Sequence, residues 1–173
     1  PVSERIPSPS KWRFSIAQYR ERDWAASDFN DRIWRNISPS PGGWHSAGFR
    51  NYRGTGYYRT VMKMPPKREG KRLMLHSDSV DGSAIFYLNG EQVGVHYMGT
   101  QQGAEFDVTE FANPEKENVL GIRIRNTTGP GGLDSIPYLY FRNSFSSPHV
   151  PGNLIVHQGK IISASASGVA AYP

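Results

Sequence analysis

Apolar and polar residues alternate with period two in short runs along this chain, and glycine and proline punctuate the runs. Trp12-Arg13-Phe14-Ser15-Ile16 alternates and predicts a strand. Tyr57 to Met64 predicts a second, stopped by Pro65-Pro66, and Arg72 to His76 a third. From Asn118 to Arg125, Leu120, Ile122 and Ile124 share one face while Arg123 and Arg125 share the other, the pattern of a half-buried strand. Trp34–Ile37, Glu105–Val108 and Tyr138–Phe141 read as shorter strands, and Leu154–His157 with Lys160–Ala164 as a terminal hairpin around Gln158-Gly159. Ala25 to Trp34 reads as a packed loop or one helical turn, and Ser165 to Pro173 as a frayed tail. Thr109 is placed to N-cap a single helical turn ending near Asn113-Pro114.

The strongest local signal is Asn89-Gly90, set between Val80–Leu88 and Glu91–Gly94. Both residues tolerate positive φ, so the pair predicts a two-residue hairpin turn. Short strands, frequent turns and almost no helical periodicity predict an all-β fold, an antiparallel β-sandwich.

The 173 residues fit one domain, with a core over about 12–142 and a linker-like stretch plus a possible hairpin over 143–173. Hydrophobic residues are 37% of the chain, modest for a large core, but aromatics are 12% and each buries a large area. No run approaches 18 apolar residues, and no basic stretch with an apolar segment opens the chain. With no cysteine there is neither a disulfide framework nor a thiolate site. The net charge of +5 is spread as single Lys and Arg residues, which reads first as a solvated surface and second as affinity for an anionic partner such as an acidic polysaccharide. No compact basic run or nucleic-acid motif accompanies it, so nucleic acid and membrane are not expected partners.

Catalytic signatures are scarce. Hydrolysis of a glycosidic bond needs two facing carboxylates. The candidates Asp78, Asp81, Glu105 and Asp107 read better as structural, and no catalytic residue is assigned. The five histidines lack metal-ligand spacing, so no metal ligand is assigned, although Asp28-Phe29-Asn30-Asp31 offers oxygens to a structural Ca²⁺. A sugar site wants an aromatic platform and planar hydrogen-bonding groups, and sandwich-end loops commonly carry them. Three loops are rich in such groups: Gly43–Ser46, His96–Gln102 and Asn126–Asp134.

The ordered set Trp24, Asp28-Phe29, Asp31, Trp34, Trp44, Tyr52-Arg53-Gly54-Thr55-Gly56-Tyr57-Tyr58-Arg59, Val80-Asp81-Gly82, Tyr87, Asn89-Gly90, Val93-Gly94, Phe106-Asp107-Val108-Thr109, Asn118-Val119-Leu120 and Asn126 resembles one family. It is similar to the N-terminal sugar-binding domain of the β-galactosidase/β-glucuronidase group of glycoside hydrolases, over roughly Trp12 to Phe141. The resemblance implies a jelly-roll sandwich of the galactose-binding-like type. It also implies a secreted, periplasmic or cell-surface setting. The catalytic barrel of those enzymes has no room in 173 residues. The expectation is therefore a non-catalytic carbohydrate-binding module that tethers a polysaccharide-degrading enzyme to its glycan. The alternative is a structural domain that braces the catalytic domain of the same parent chain and binds nothing alone. Loops equivalent to the first and third lie near the active site in the resembling enzymes. Trp44, His45, Asn126 and Asp134 are therefore the first candidate ligand contacts, with His96, Tyr97 and Gln101 behind them.

Overall fold

The computed structural model describes residues 4–20, 23–97 and 103–144, together with three later strands. In chain order the strands begin β1 (Ile6–Pro7), β2 (Trp12–Ser15), β3 (Arg35–Ile37), β4 (Gly54–Lys63), β5 (Lys71–Ser77), β6 (Val80–Asp81), β7 (Ser83–Leu88) and β8 (Glu91–His96). They continue with β9 (Ala104–Asp107), β10 (Glu117–Asn126), β11 (Gly132–Leu133), β12 (Tyr138–Asn143), β13 (Leu154–His157), β14 (Lys160–Ser165) and β15 (Gly168–Ala171). One short helix, α1 (Gly43–Ser46), precedes β4, and a 3₁₀ turn covers Asp23–Ala25.

Two compact units result, residues 1–143 and 144–173. The first holds a six-stranded sheet ordered β3-β2-β4-β10-β7-β8, a four-stranded sheet ordered β1-β12-β5-β9, and the small pair β6–β11. Every pairing is antiparallel. The second unit is a three-stranded antiparallel sheet, β13-β14-β15. Each strand expected from the alternation is present. The expected frayed tail is not: Gly168–Ala171 pairs with β14.

The main core lies between the two sheets. Trp12, Phe14, Tyr58, Phe86, Leu120, Ile122 and Ile124 from the six-stranded sheet meet Leu73, Leu75 and Leu139 from the four-stranded one. A second apolar cluster sits on the outer face of the six-stranded sheet. There Trp24, Ala25 and Trp34, from the segment between β2 and β3, cover Tyr57 of β4 and Tyr87 of β7. Consecutive residues Tyr57 and Tyr58 are thus both buried, one on each side of β4, because both faces are covered at this point.

Arg59 fastens the outer cluster to the sheet. Its side chain is 3% exposed. Nε donates to Asp31 Oδ2 at 3.0 Å, Nη1 to the carbonyls of Trp24 (2.7 Å) and Ala26 (2.9 Å), and Nη2 to that of Phe29 (3.4 Å). The guanidinium fork suits this task because one rigid plane addresses several acceptors at once. Asp31 is thereby spent on Arg59, and Asn30 Oδ1 accepts the Arg32 N–H at 3.1 Å. Two of the side chains offered above for Ca²⁺, Asn30 and Asp31, are thus already engaged, and among the described residues no three His, Asp or Glu side chains gather around a point.

Asn89 and Gly90 adopt φ of 53° and 86° and close the β7–β8 hairpin with Leu88 opposite Glu91. Asn89 also ties the hairpin to β10, since its Oδ1 accepts the Val119 N–H at 3.0 Å and its Nδ2 donates to Asn118 Oδ1 at 2.7 Å. At the start of the single turn after β9, Asp107 caps instead of Thr109. Its Oδ1 accepts the Thr109 N–H at 3.0 Å, while Thr109 Oγ1 accepts the Leu73 N–H at 2.8 Å and stitches the turn to β5.

Candidate functional site

Strand registers bring the loop candidates to one end of the sandwich. Asn126, the last residue of β10, pairs with Gly54, the first of β4. Arg125 pairs with Ser83 at the start of β7, and Ala84 pairs with His96 at the end of β8. Helix α1 joins them, because the Trp44 N–H donates to the Gly131 carbonyl at 2.9 Å.

The Asn126–Asp134 loop is laced to its neighbours. Asp81 Oδ2 accepts the Gly131 N–H at 2.9 Å, and Gly132 and Leu133 pair with Asp81 and Val80. Ser79 Oγ donates to Asp134 Oδ2 at 3.1 Å, and the Leu133 N–H donates to the Tyr58 hydroxyl at 3.4 Å. Burial pushes the Tyr58 hydroxyl far above its ordinary range, with that backbone bond opposing, so it stays protonated.

Trp44 is 0% exposed and packs against Phe14 and Tyr52, so in this conformation its ring offers no platform to a sugar. Asn126 is also fully buried. Yet Trp44 Nε1 and Asn126 Nδ2 have no hydrogen-bond partner. Both lie under Gly131, where a Cβ would stand 2.4 Å from Trp44 Cε2 and 2.7 Å from Asn126 Nδ2. With φ of 72° as well, only glycine fits there. Two buried donors without acceptors cost about 1–3 kcal/mol each, which makes this an unusual spot in a well-packed domain. His45 and Asp134 are half-buried beside it. His96 is buried, and burial pushes its imidazole below the ordinary range. Tyr97, by contrast, is 68% exposed. Gln101 lies outside the described residues. Asp81 and Tyr58 hold the loop, a role that neighbouring strand residues give no sequence signal for, because the bonds they make span 50 and 75 residues.

The carboxylates do not form an acid–base pair. Burial opposes ionisation of Glu105, but hydrogen bonds from Tyr140 and His76, with Arg142 nearby, outweigh it and hold the carboxyl below its usual range. Burial likewise opposes ionisation of Asp107, and the bonds from Arg72 and Thr109 again win. A general acid needs the opposite shift. Tyr140, half-buried and hydrogen-bonded to Glu105, is pushed up to about 12. Because both carboxyls bind protons less readily folded than unfolded, their stabilisation is in place above the ordinary carboxylate range and is lost as pH falls through the depressed values. The melting temperature is therefore expected to drop between about pH 6 and about pH 3. Thermal scans of Glu105→Gln across that window should show a shallower drop; an unchanged slope would refute the role given to Glu105.

A two-sheet antiparallel sandwich with loops gathered at one end is an all-β module that hosts many unrelated functions. Comparison with known proteins makes the class specific. The model of the glycosyl hydrolases family 2 sugar binding domain matches residues 4–130, and the chain belongs to that family. It is 24% identical over 144 residues to a β-glucuronidase of Formosa agariphila, covering 75% of this chain and 15% of that protein. It is 33% identical over 75 residues to a β-galactosidase of Thermoanaerobacter pseudethanolicus, covering 43% and 10% respectively. Among solved structures it is similar to Bacteroides uniformis β-glucuronidase 2 covalently bound to cyclophellitol-6-carboxylate aziridine, with TM-score 0.67, 26% identity, and coverage of 80% of this chain and 18% of that one. Bifidobacterium dentium β-glucuronidase complexed with coumarin-3-O-glucuronide shares the fold at TM-score 0.69 and 19% identity, covering 83% and 31%. The chain thus spans about 15% or less of the length of these curated relatives, and the part matched is the sugar binding domain.

Proposed function

We propose that this domain recognises carbohydrate without cleaving it, and holds a polysaccharide-degrading glycoside hydrolase on its glycan outside the cytoplasm. Membership of a sugar-binding domain family supports this reading, and the observation that carries it is the pair of orphaned donors at the loop end. A sugar hydroxyl admitted beneath the Gly129–Gly132 loop supplies the acceptor that Trp44 Nε1 and Asn126 Nδ2 lack. Tyr97, exposed at the same end, offers a ring for the apolar face of a neighbouring sugar. Tethering then raises the local concentration of enzyme on substrate with no new chemistry.

Calorimetry and affinity electrophoresis against a panel of neutral and acidic polysaccharides test the reading. Tyr97→Ala should weaken binding several-fold with an unchanged melting temperature. No binding to any polysaccharide would sink the proposal.

A bracing role is the second reading, and one observation favours it. At the β2–β3 edge a groove of about 310 Å³ is lined by Phe14, Tyr19 and Phe49, and beside it Ile33 is 91% exposed and Ile16 39%. Such an apolar patch suits contact with another domain of a parent chain. Ile33→Lys separates the two readings: it leaves glycan binding intact in the first and loosens domain contact in the second.

A further inference from the structure

The outer face of the six-stranded sheet is covered by the Trp24 cluster over one part and bare over another. Where it is bare, β2, β3 and β4 form the floor of a cleft of about 270 Å³, lined by Pro9, Lys11, Arg13, Asp31 and Asn36, with Arg59 behind. This is close to the small end of ligand pockets, about 300 Å³ and upward. It is not the loop-end site. Thr60 and Val61, which also line it, lie six or seven residues along β4 from Gly54, or about 20 Å at a strand's rise per residue.

Asn36, Arg13 and Arg59 stand in register across β3, β2 and β4. Like charges directly opposite on neighbouring strands repel. A single carboxylate answers both arginines: Asp31 is 3.0 Å from Arg59 Nε and 4.0 Å from Arg13 Nε. Arg59 is fully engaged. Arg13 is not: it donates from Nη1 to the Trp34 carbonyl at 3.3 Å, and its guanidinium makes no other hydrogen bond among the described residues. A guanidinium has five donors, so most of this one is unused. Lys11 and Asn36, both exposed, make no side-chain hydrogen bond or ion pair among the described residues. Three cations thus meet one carboxylate, with idle planar and point-charge donors converging from two strands. Pro9 and Val61, the latter 46% exposed, add apolar wall.

We infer that this cleft is an anion-recognising glycan subsite, taking the carboxylate or sulfate ester of an acidic sugar residue, with Arg13 and Lys11 gripping the oxyanion and Asn36 bonding a ring hydroxyl. The fork of Arg13 matches an oxyanion with two parallel bonds, and Lys11 adds charge without fixed geometry. The inference rests on the reading that the domain binds glycan, and specifies which class of glycan.

The test is calorimetry of the 173-residue chain with four probes: an oligogalacturonate, a sulfated galactan fragment, a neutral galactan fragment and sodium sulfate. At least one acidic fragment should bind about 10-fold or more tightly than the neutral one. Which of the two does so distinguishes carboxylate from sulfate ester. Lys11→Gln combined with Arg13→Gln should abolish that preference while keeping the melting temperature and the affinity for the neutral fragment. In the unsubstituted chain, the side-chain ¹⁵Nε resonance of Arg13 should shift on titration with the acidic fragment, a readout that does not depend on the variant folding. Equal affinity for acidic and neutral fragments, an acid preference that survives the double substitution, an unmoved Arg13 resonance, or sodium sulfate binding as tightly as the glycan would each overturn the inference. Neutral binding without acidic preference overturns this inference alone; no binding by any probe overturns the carbohydrate reading with it.

Discussion

Arg59→Met is expected to destabilise the domain by about 3–5 kcal/mol, the range for removing one partner of a buried ion pair. The methionine fills much of the space but donates nothing. Asp31 then keeps a charge with only the longer contact to Arg13, and the carbonyls of Trp24, Ala26 and Phe29 lose their donor. The loss comes from groups left unmet, so an apolar side chain of similar length cannot repair it. Arg59→Lys should recover part of the stability, since a single ammonium keeps the charge but cannot address Asp31 and the carbonyls together. Urea denaturation of the two variants checks this. Equal midpoints for Met and Lys would show that the fork geometry contributes nothing.

Trp24→Ala is expected to cost a similar amount, about 3–5 kcal/mol, by a different route. The indole is fully buried on the outside of the six-stranded sheet, stacked on Trp34 and edge-on to Tyr57 and Tyr87. It also packs against β10, where a Cβ at Gly121 would stand 2.9 Å from Trp24 Cζ3. The surrounding residues come from four separate elements, so they cannot collapse far into the space. Because Arg59 donates to the Trp24 carbonyl, the two changes touch one unit, and their double variant should cost less than the sum. Hydrogen exchange offers a second check. Amides between Asp23 and Trp34 should lose protection in Trp24→Ala while those of β10 largely keep theirs. Uniform loss across the sheet would mean that the outer cluster does not open as a separate unit.

Local patterning carried most of the fold. The alternation in β10, the Asn-Gly turn and the proline stop after β4 each act within a few residues, and the structure follows them. What local patterning does not encode is which core a residue joins. Trp24, Trp34 and Tyr58 are all buried, but the first two lie outside the sheet and the third between the sheets. Adjacent Tyr57 and Tyr58 serve one cluster each, and a period-two rule cannot tell that both faces of a strand are covered. The strand over Gly168–Ala171 was hidden for another reason. Its small residues carry almost no apolar contrast, and backbone pairing with β14 alone defines it.

The candidate site was legible in position and not in exposure. Registers between β4, β7, β8 and β10 set Gly54, Asn126 and His96 at one end. That Trp44 and Asn126 are covered depends on Gly131, a residue whose lack of a side chain permits the close approach. The basic cleft was invisible for want of proximity: Arg13, Asn36 and Thr60 come from three strands, with Lys11 just before the first of them, and only pairing across β2 brings them together.

The pairing of β1 with β12 bears on how the protein is made. Ile6 meets Leu139 and Pro7 meets Tyr138, so β1 waits for a partner made much later in the chain. β12 also fills the place between β1 and β5, joining what would otherwise be separate pieces. Roughly 130 residues emerge between the two partners, which at about 5–20 residues per second is a delay of some 7–26 s. From the completion of β5 until then, the β5 edge that pairs with β12 has no partner strand. A ribosome-bound chain cut short before Tyr138 should therefore recruit a chaperone, and one extended past Asn143 should release it.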